Sequence, residues 1–193
     1  MAISFEVPPE LKDVFRYKHG QYITLRTIIH GEQERRAYSL CSSPYADEPL
    51  TIAVKKLADG VMSSWLTENV HQGASLDVMA PMGNFTTPLD ASNARHLLCV
   101  AGGSGITPIL SILKSALLVE PLTSVTLVYA NVSDASIMFA DELSRLSQQH
   151  GPRLRVVHVV ESDATGMATF RGRMNPELMS DVIAAHVSEL HNV

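Results

Sequence analysis

The stretch Cys99-Val100-Ala101-Gly102-Gly103-Ser104-Gly105-Ile106-Thr107-Pro108 decides the reading of the chain. Residues 96–101 form a short apolar run, as a buried parallel strand requires. After the stretch, Ile109, Leu110, Ile112, Leu113, Ala116 and Leu117 recur at helical spacing. Pro108 suits the first helical position, where its missing N–H would be unpaired anyway, and Thr107 can cap the same end. The loop between is almost bare of side chains. Backbone amides can therefore approach a ligand closely, with a diphosphate at the positive end of the helix dipole. An ordinary strand-to-helix turn explains a lone glycine loop equally well. The spacing Gly103-x-Gly105-x-x-Pro108 also puts proline where the Rossmann fingerprint has glycine or alanine. The proline ending and a second motif upstream turn the reading toward nucleotide binding.

Downstream, residues 125–130 and 154–160 read as further strands, and 138–149 and 176–190 as helices, with 161–174 a long loop. This βαβαβα order predicts a doubly wound parallel sheet with ligands at the carboxyl ends of its strands. Upstream the pattern changes to short alternating strands. Ile3, Phe5 and Val7 alternate until Pro8-Pro9; residues 22–29 and 36–41 form a hairpin joined by polar residues 30–34. Residues 50–57 and 75–80 alternate again, with a short helix over 63–70, which together suggest a small antiparallel barrel. The polar, proline-containing residues 86–94 mark a boundary, giving domains 1–92 and 93–193.

Bulk properties narrow the classes. With 46% hydrophobic and 18% charged residues in a chain of 193, a sizeable core is expected and disorder is not. A net charge of -5, without clustered Lys or Arg, argues against a nucleic-acid surface. No run is long enough to span a bilayer and no signal peptide is evident, so a cytoplasmic protein is expected. Cys41 and Cys99 lie in apolar strands and read as buried reduced thiols. None of the 8 histidines has metal-ligand spacing, so no metal site is expected.

Two upstream stretches carry chemistry. In Arg36-Ala37-Tyr38-Ser39-Leu40-Cys41-Ser42-Ser43, alternation puts Arg36, Tyr38 and Leu40 on one face and Ala37, Ser39 and Cys41 on the other. Arginine offers a fork of donors for phosphate and tyrosine a flat face for a planar ring. Taken alone, the fragment reads better as a solvated arginine and a half-buried tyrosine. In Gly60-Val61-Met62-Ser63, a glycine precedes hydroxyls at a helix start, a natural anion site, although plain serine capping explains it singly.

The three stretches together resemble the ferredoxin–NADP reductase superfamily, in particular the reductase components of bacterial oxygenases and the reductase half of flavohaemoproteins. Arg36, Tyr38, Ser39 and Ser42 match its R-x-Y-S-x-x-S motif; Gly60 and Ser63 match G-x-x-S; Gly102, Gly103, Gly105, Ile106, Thr107 and Pro108 match G-G-x-G-I-T-P. All three occur in family order across nearly the whole chain. The resemblance implies an antiparallel β-barrel flavin-binding domain followed by an α/β doubly wound nucleotide-binding domain.

It also implies roles. Arg36 would bind the flavin pyrophosphate, Tyr38 would stack on the isoalloxazine, and Ser39 would lie by flavin N5. Ile52, Val54 and Lys55 would contact the flavin through their backbone, and Gly60, Val61, Met62 and Ser63 would hold the diphosphate, which favours FAD. Gly102, Gly103, Gly105, Ile106, Thr107 and Pro108 would receive NADH or NADPH, with Thr107 near the nicotinamide and Phe85 in the loop that the family uses to bridge its domains. Ser39 and Thr107 are the candidates nearest the chemistry, in which nicotinamide C4 faces flavin N5 and no general base is needed. The nucleotide ribose should lie near Asn131 and Asp134. Val132, where relatives often carry arginine, and Asp134 point to NADH over NADPH; Arg153, Arg155 and Arg171 remain possible sources of positive charge.

The implied function is hydride uptake from NAD(P)H onto FAD, then single-electron delivery to an iron–sulfur or haem acceptor in an oxygenase chain. The family's C-G-P segment does not follow the last helix, and a strand upstream of Ile3 is absent, so both domains read as incomplete. A truncated fragment without turnover, or a non-catalytic flavin- or nucleotide-binding module, is the alternative. An open barrel and an uncovered sheet edge would retain flavin weakly and associate.

Overall fold

The computed structural model describes residues 1–187. It divides into two compact units: Met1–Pro88 with Leu110–Ser115, and Leu89–Ile109 with Ala116–Val193.

Unit 1 is built of antiparallel strands. β2 (Tyr22–Ile29) is central, with β3 (Glu32–Ser39) on one side and β5 (Asp77–Met82) on the other; β1 (Ala2–Phe5) pairs with β4 (Leu50–Ala53). A bridge between Leu40 and Ile52 joins the two sheets into the barrel-like arrangement expected. Period-2 alternation sends Ile23, Leu25 and Ile29 of β2 inward, where they meet Leu40, Leu50, Ile52, Val54 and, from α1 (Val61–Asn69), Met62 and Leu66. The β2–β3 hairpin is tighter than its polar sequence suggests. Ile29 pairs with Glu32, and the turn is His30-Gly31 alone, with φ of 52° and 83°. Both residues are left-handed, the geometry that matches the twist of a two-residue hairpin. The strand therefore runs through residues expected to form a loop. Conversely, β4 stops at Ala53, which pairs with Ala2 at the start of β1, and a tight turn follows in which the Gly60 amide donates to the Leu57 carbonyl.

Unit 2 holds a parallel sheet in the order β6 (His96–Gly102), β7 (Ser124–Ser133), β8 (Leu154–Ser162), β9 (Phe170–Arg171). α2 (Ile106–Val119) links the first pair and α3 (Ala140–His150) the second. α4 (Pro176–His186) packs Val182 on Val128, Val157 and Val159. β9 falls inside the segment read as a long loop; two residues of ladder leave no alternation to detect. α3 starts later than its apolar spacing predicts, since Phe139 is left-handed at φ 61° and ends the preceding turn. The end of the expected last helix, 188–190, lies outside the described residues. α2 is buried nearly all round, as its unbroken apolar and small composition requires. Its Leu110–Ser115 portion belongs to unit 1, where Ser111 donates to the Ser42 carbonyl at 2.6 Å and Lys114 pairs with Glu48 at 2.7 Å.

Candidate functional site

At the turn from β6 into α2, Gly103 has φ +49°, so a side chain there would be strained. Gly102 and Gly105 have ordinary backbone angles, and a Cβ built on any of the three meets nothing within 4 Å. Neither packing nor backbone requires glycine at Gly102 and Gly105. What their missing side chains leave is open space at the positive end of α2, where the Ile106 amide already bonds the Gly103 and Ser104 carbonyls. That is a cradle fit for a diphosphate.

The cap differs in detail from expectation. A short 3-10 turn, Gly103–Gly105, starts the helix at Ile106, so Pro108 occupies the third position rather than the first. Thr107 is thereby inside the helix, and its hydroxyl donates to the Ser104 carbonyl at 3.1 Å instead of accepting an amide. The turn is pinned from below by a residue that no sequence motif marks. Tyr129, fully buried in β7, donates to the Gly103 carbonyl at 2.9 Å and accepts from the Met138 amide at 3.2 Å. Burial pushes its phenol pKa up, so it stays a neutral donor. The available signal was a tyrosine within an apolar strand run, since a buried hydroxyl needs a partner.

Asn131 and Asp134 sit at the carboxyl end of β7. Asn131 is buried. Asp134 accepts from the Ala135 amide with one oxygen and from the Ala164 and Thr165 amides with the other. Its pKa is lowered, first by hydrogen bonding with the Thr165 side chain. It tethers the 161–171 segment rather than standing solvated. Asp163 organises the same segment, taking amides from Gly166, Met167 and Ala168 and the Arg171 guanidinium at 3.3 Å. Arg153 donates to the carbonyls of Leu117, Glu120 and Pro121, capping the end of α2. Arg171 and Arg153 thus have structural partners, and Val132 is 68% exposed and apolar.

In unit 1, Arg36 and Tyr38 lie on one face of β3. Arg36 has a 57% exposed side chain, pairs with Glu34 at 3.0 Å and donates to the Arg35 carbonyl at 2.7 Å. Tyr38 is half-buried against the core, and burial raises its pKa. Ser39 closes β3 opposite Tyr22. Ile52 and Val54 are core side chains. The Val54 amide and carbonyl are both taken by Met1, at 2.8 and 3.0 Å, which limits what that residue can offer a flavin. At the start of α1, a Cβ on Gly60 would collide with Ser63 Oγ. Ser63 is buried, bonding the Leu57 amide and the Gly60 carbonyl at 3.2 Å each; its hydroxyl shapes the turn, the Gly60 amide is taken by the Leu57 carbonyl, and Val61 and Met62 present the helix's leading amides. Phe85 is 59% exposed. Among the described residues there is no cluster of three potential metal ligands, and no helix is long and apolar enough to cross a membrane.

A glycine turn at the head of a parallel sheet, in a chain whose antiparallel unit carries an Arg-x-Tyr-Ser strand and a glycine-led helix, is an arrangement that suits a flavin- and nicotinamide-dependent oxidoreductase. Residues 1–87 match the oxidoreductase FAD-binding domain family and residues 99–192 the oxidoreductase NAD-binding domain family. The chain carries both of these oxidoreductase domains, the FAD-binding one first. It is 44% identical over 162 residues to the ferredoxin reductase component of 3-ketosteroid-9-alpha-monooxygenase of Rhodococcus rhodochrous, covering 83% of this chain and 45% of that protein. Against a component of the 1,2-phenylacetyl-CoA epoxidase of Escherichia coli the identity is 33%, covering 97% and 52%. A ferredoxin NADP+ reductase from Neisseria gonorrhoeae, solved with FAD and NADP, superposes with a TM-score of 0.73 at 27% identity, covering 98% of this chain and 73% of that one. The chain spans about half the length of the curated relatives it matches.

Proposed function

We propose that this chain is the FAD- and nucleotide-binding part of a reductase that takes a hydride from NAD(P)H and delivers electrons singly to an oxygenase component. The observation that carries this reading is the glycine turn, whose Gly102 and Gly105 are explained by a ligand and by nothing in the fold. The two oxidoreductase domains and the reductase components among the relatives support it. The acceptor is an iron–sulfur protein or centre, or a haem domain. Buried thiols at Cys41 and Cys99 suit a reducing, cytoplasmic setting.

In this reading residues 1–92 hold FAD and residues 93–193 hold the pyridine nucleotide. A bound flavin supplies the conversion between a two-electron donor and a one-electron acceptor. Arg36 exchanges its Glu34 partner for the flavin diphosphate, helped by the close approach that Gly60 allows and by the amides of Val61, Met62 and Ser63. Tyr38 provides the face for ring stacking, Ser39 a hydrogen bond to the ring edge, and Ile52, Val54 and Lys55 the backbone beside it, within β4 and just past its end. Gly102 to Pro108 seat the nucleotide diphosphate, Thr107 lies near the nicotinamide, and Asn131 and Asp134 border the ribose. Asp134 puts a carboxylate and Val132 an apolar side chain there, favouring NADH. Comparing nucleotide affinities tests that preference, and clearly tighter NADPH binding refutes it. The reading as a whole is tested by loading the chain with FAD and adding NADH anaerobically. Bleaching of the flavin supports it; a bound flavin indifferent to both nucleotides favours a non-catalytic binding module.

A further inference from the structure

We propose that the free edge of β1 docks a second copy of this chain, the two β1 strands pairing antiparallel about a two-fold axis at Ser4. Among the described residues β1 pairs only with β4, and β5 only with β2. An open cleft of about 1110 Å³ lies between these two free edges, within unit 1. Ile3, Phe5 and Val7 line it from the β1 side and Leu76 and Val78 from the β5 side, all half-buried against the core. Apolar side chains therefore reach water between two rows of backbone groups, which is a template for a further strand.

The edges are not alike. β5 carries Pro81, a register shift against β2 and Asp77 at its start, features that blunt an edge. β3, whose outer edge is also free within its sheet, begins Glu32-Gln33-Glu34-Arg35-Arg36. β1 has no such protection: Ala2-Ile3-Ser4-Phe5 holds no charge and no proline, and its register with β4 is unbroken.

Backbone phase selects the partner. Met1 and Val54 exchange both backbone hydrogen bonds, at 2.8 and 3.0 Å. Such pairs alternate along an antiparallel ladder, so Ile3 and Phe5 also bond toward β4. The N–H and C=O of Ala2, Ser4 and Glu6 then point into the cleft. Burial alternates in step, with Ile3, Phe5 and Val7 half-buried and Ala2, Ser4 and Glu6 exposed. A second copy centred on Ser4 fits both patterns. Ser4 exchanges bonds with the partner's Ser4, and Ala2 with the partner's Glu6, in both directions. Ile3 then lies against the partner's Phe5 on the core face. An axis moved to Phe5 sets Ala2 opposite the partner's Pro8, which has no N–H to give. The edge is complementary to itself, as an isologous interface requires.

Sedimentation of the full chain over a range of concentrations tests this, and the wild type should pass from monomer to dimer. Ser4→Pro deletes the amide at the axis, which the β4 ladder does not use, and should weaken association by about thirtyfold. Ser4→Ala keeps the amide, loses only the hydroxyl contact to Thr51 at 2.9 Å, and should associate like the wild type. Ser4→Cys should cross-link under mild oxidation, because paired residues of this kind have Cα atoms about 5.5 Å apart. Glu6→Cys should not, since the two positions fall on opposite sides of the axis; the native Cys41 and Cys99 are buried. A chain that stays monomeric overturns the inference and leaves the cleft to a strand of another protein. A dimer that survives Ser4→Pro, or that cross-links through Glu6→Cys, overturns it too. If Ser4→Pro does not fold, Ser4→Lys, which sets like charges across the axis, must dissociate at low salt and re-form the dimer at high salt.

Discussion

Tyr129 holds the Gly103 carbonyl and the Met138 amide with one buried hydroxyl, so Tyr129→Phe strips a donor from the first and an acceptor from the second. The expected cost is about 1–3 kcal/mol, read from the shift in a urea melt; an unchanged midpoint would show that neither bond matters. In the proposed reading Arg36→Ala removes a charge-assisted contact to the flavin diphosphate and should weaken FAD retention by about 1.5–3 kcal/mol. Unchanged flavin occupancy would show that the arginine does not face the cofactor. At this scale the sequence identified residue types well and their partners poorly. Gly102, Gly103 and Gly105 were legible because bare backbone has few uses. The commitments of Asp134, Arg153 and Ser63 were not, since each depends on amides or carbonyls whose positions arise only on folding.

The elements carry their own tests. In the β2–β3 hairpin, Gly31 has φ 83° and open space where a Cβ would go, so Gly31→Ala should cost about 1–2 kcal/mol through backbone strain alone. A loss much larger than that would point to a contact instead. The end of α2 is a buried junction. Glu120 is fully buried and accepts from Arg95 at 2.9 Å, Asn93 at 2.7 Å, Thr123 at 2.7 Å and the Asp90 amide at 3.2 Å. Burial alone would raise its pKa; the hydrogen bonds from Arg95, Asn93, Thr123 and Asp90 outweigh that and hold it below the ordinary carboxylate value. A lowered folded-state pKa means stability that is fully present above the unfolded value and lost as pH falls through the folded one. Glu120→Gln should therefore lower stability at neutral pH and flatten its acid dependence, measured as melting temperature against pH; an unchanged acid slope would exclude Glu120 as the group responsible. Periodicity found nearly every strand and helix because each buries one face or all of itself. It missed β9 and the true hairpin turn, where two residues decide the structure and leave no repeat to read.

For the whole molecule, the change from period-2 alternation upstream of residues 86–94 to alternating strands and helices downstream points to two architectures in one chain, and the structure contains both. The three motifs fall one after another along that change, the first two on the antiparallel unit and the third where the parallel sheet begins. What the sequence could not supply was the interior support: the Tyr129 pin, the Glu120 junction and the Asp163-wrapped segment all depend on bonds that form only on folding. The central claim, that one ligand is flavin and the other its hydride donor, has a direct test. The full chain, loaded with FAD and freed of oxygen, is mixed with NADH while the flavin absorption is followed. Prompt bleaching, restored by an added one-electron acceptor, is the predicted result. A flavin that stays yellow with saturating NADH and NADPH alike would contradict the account.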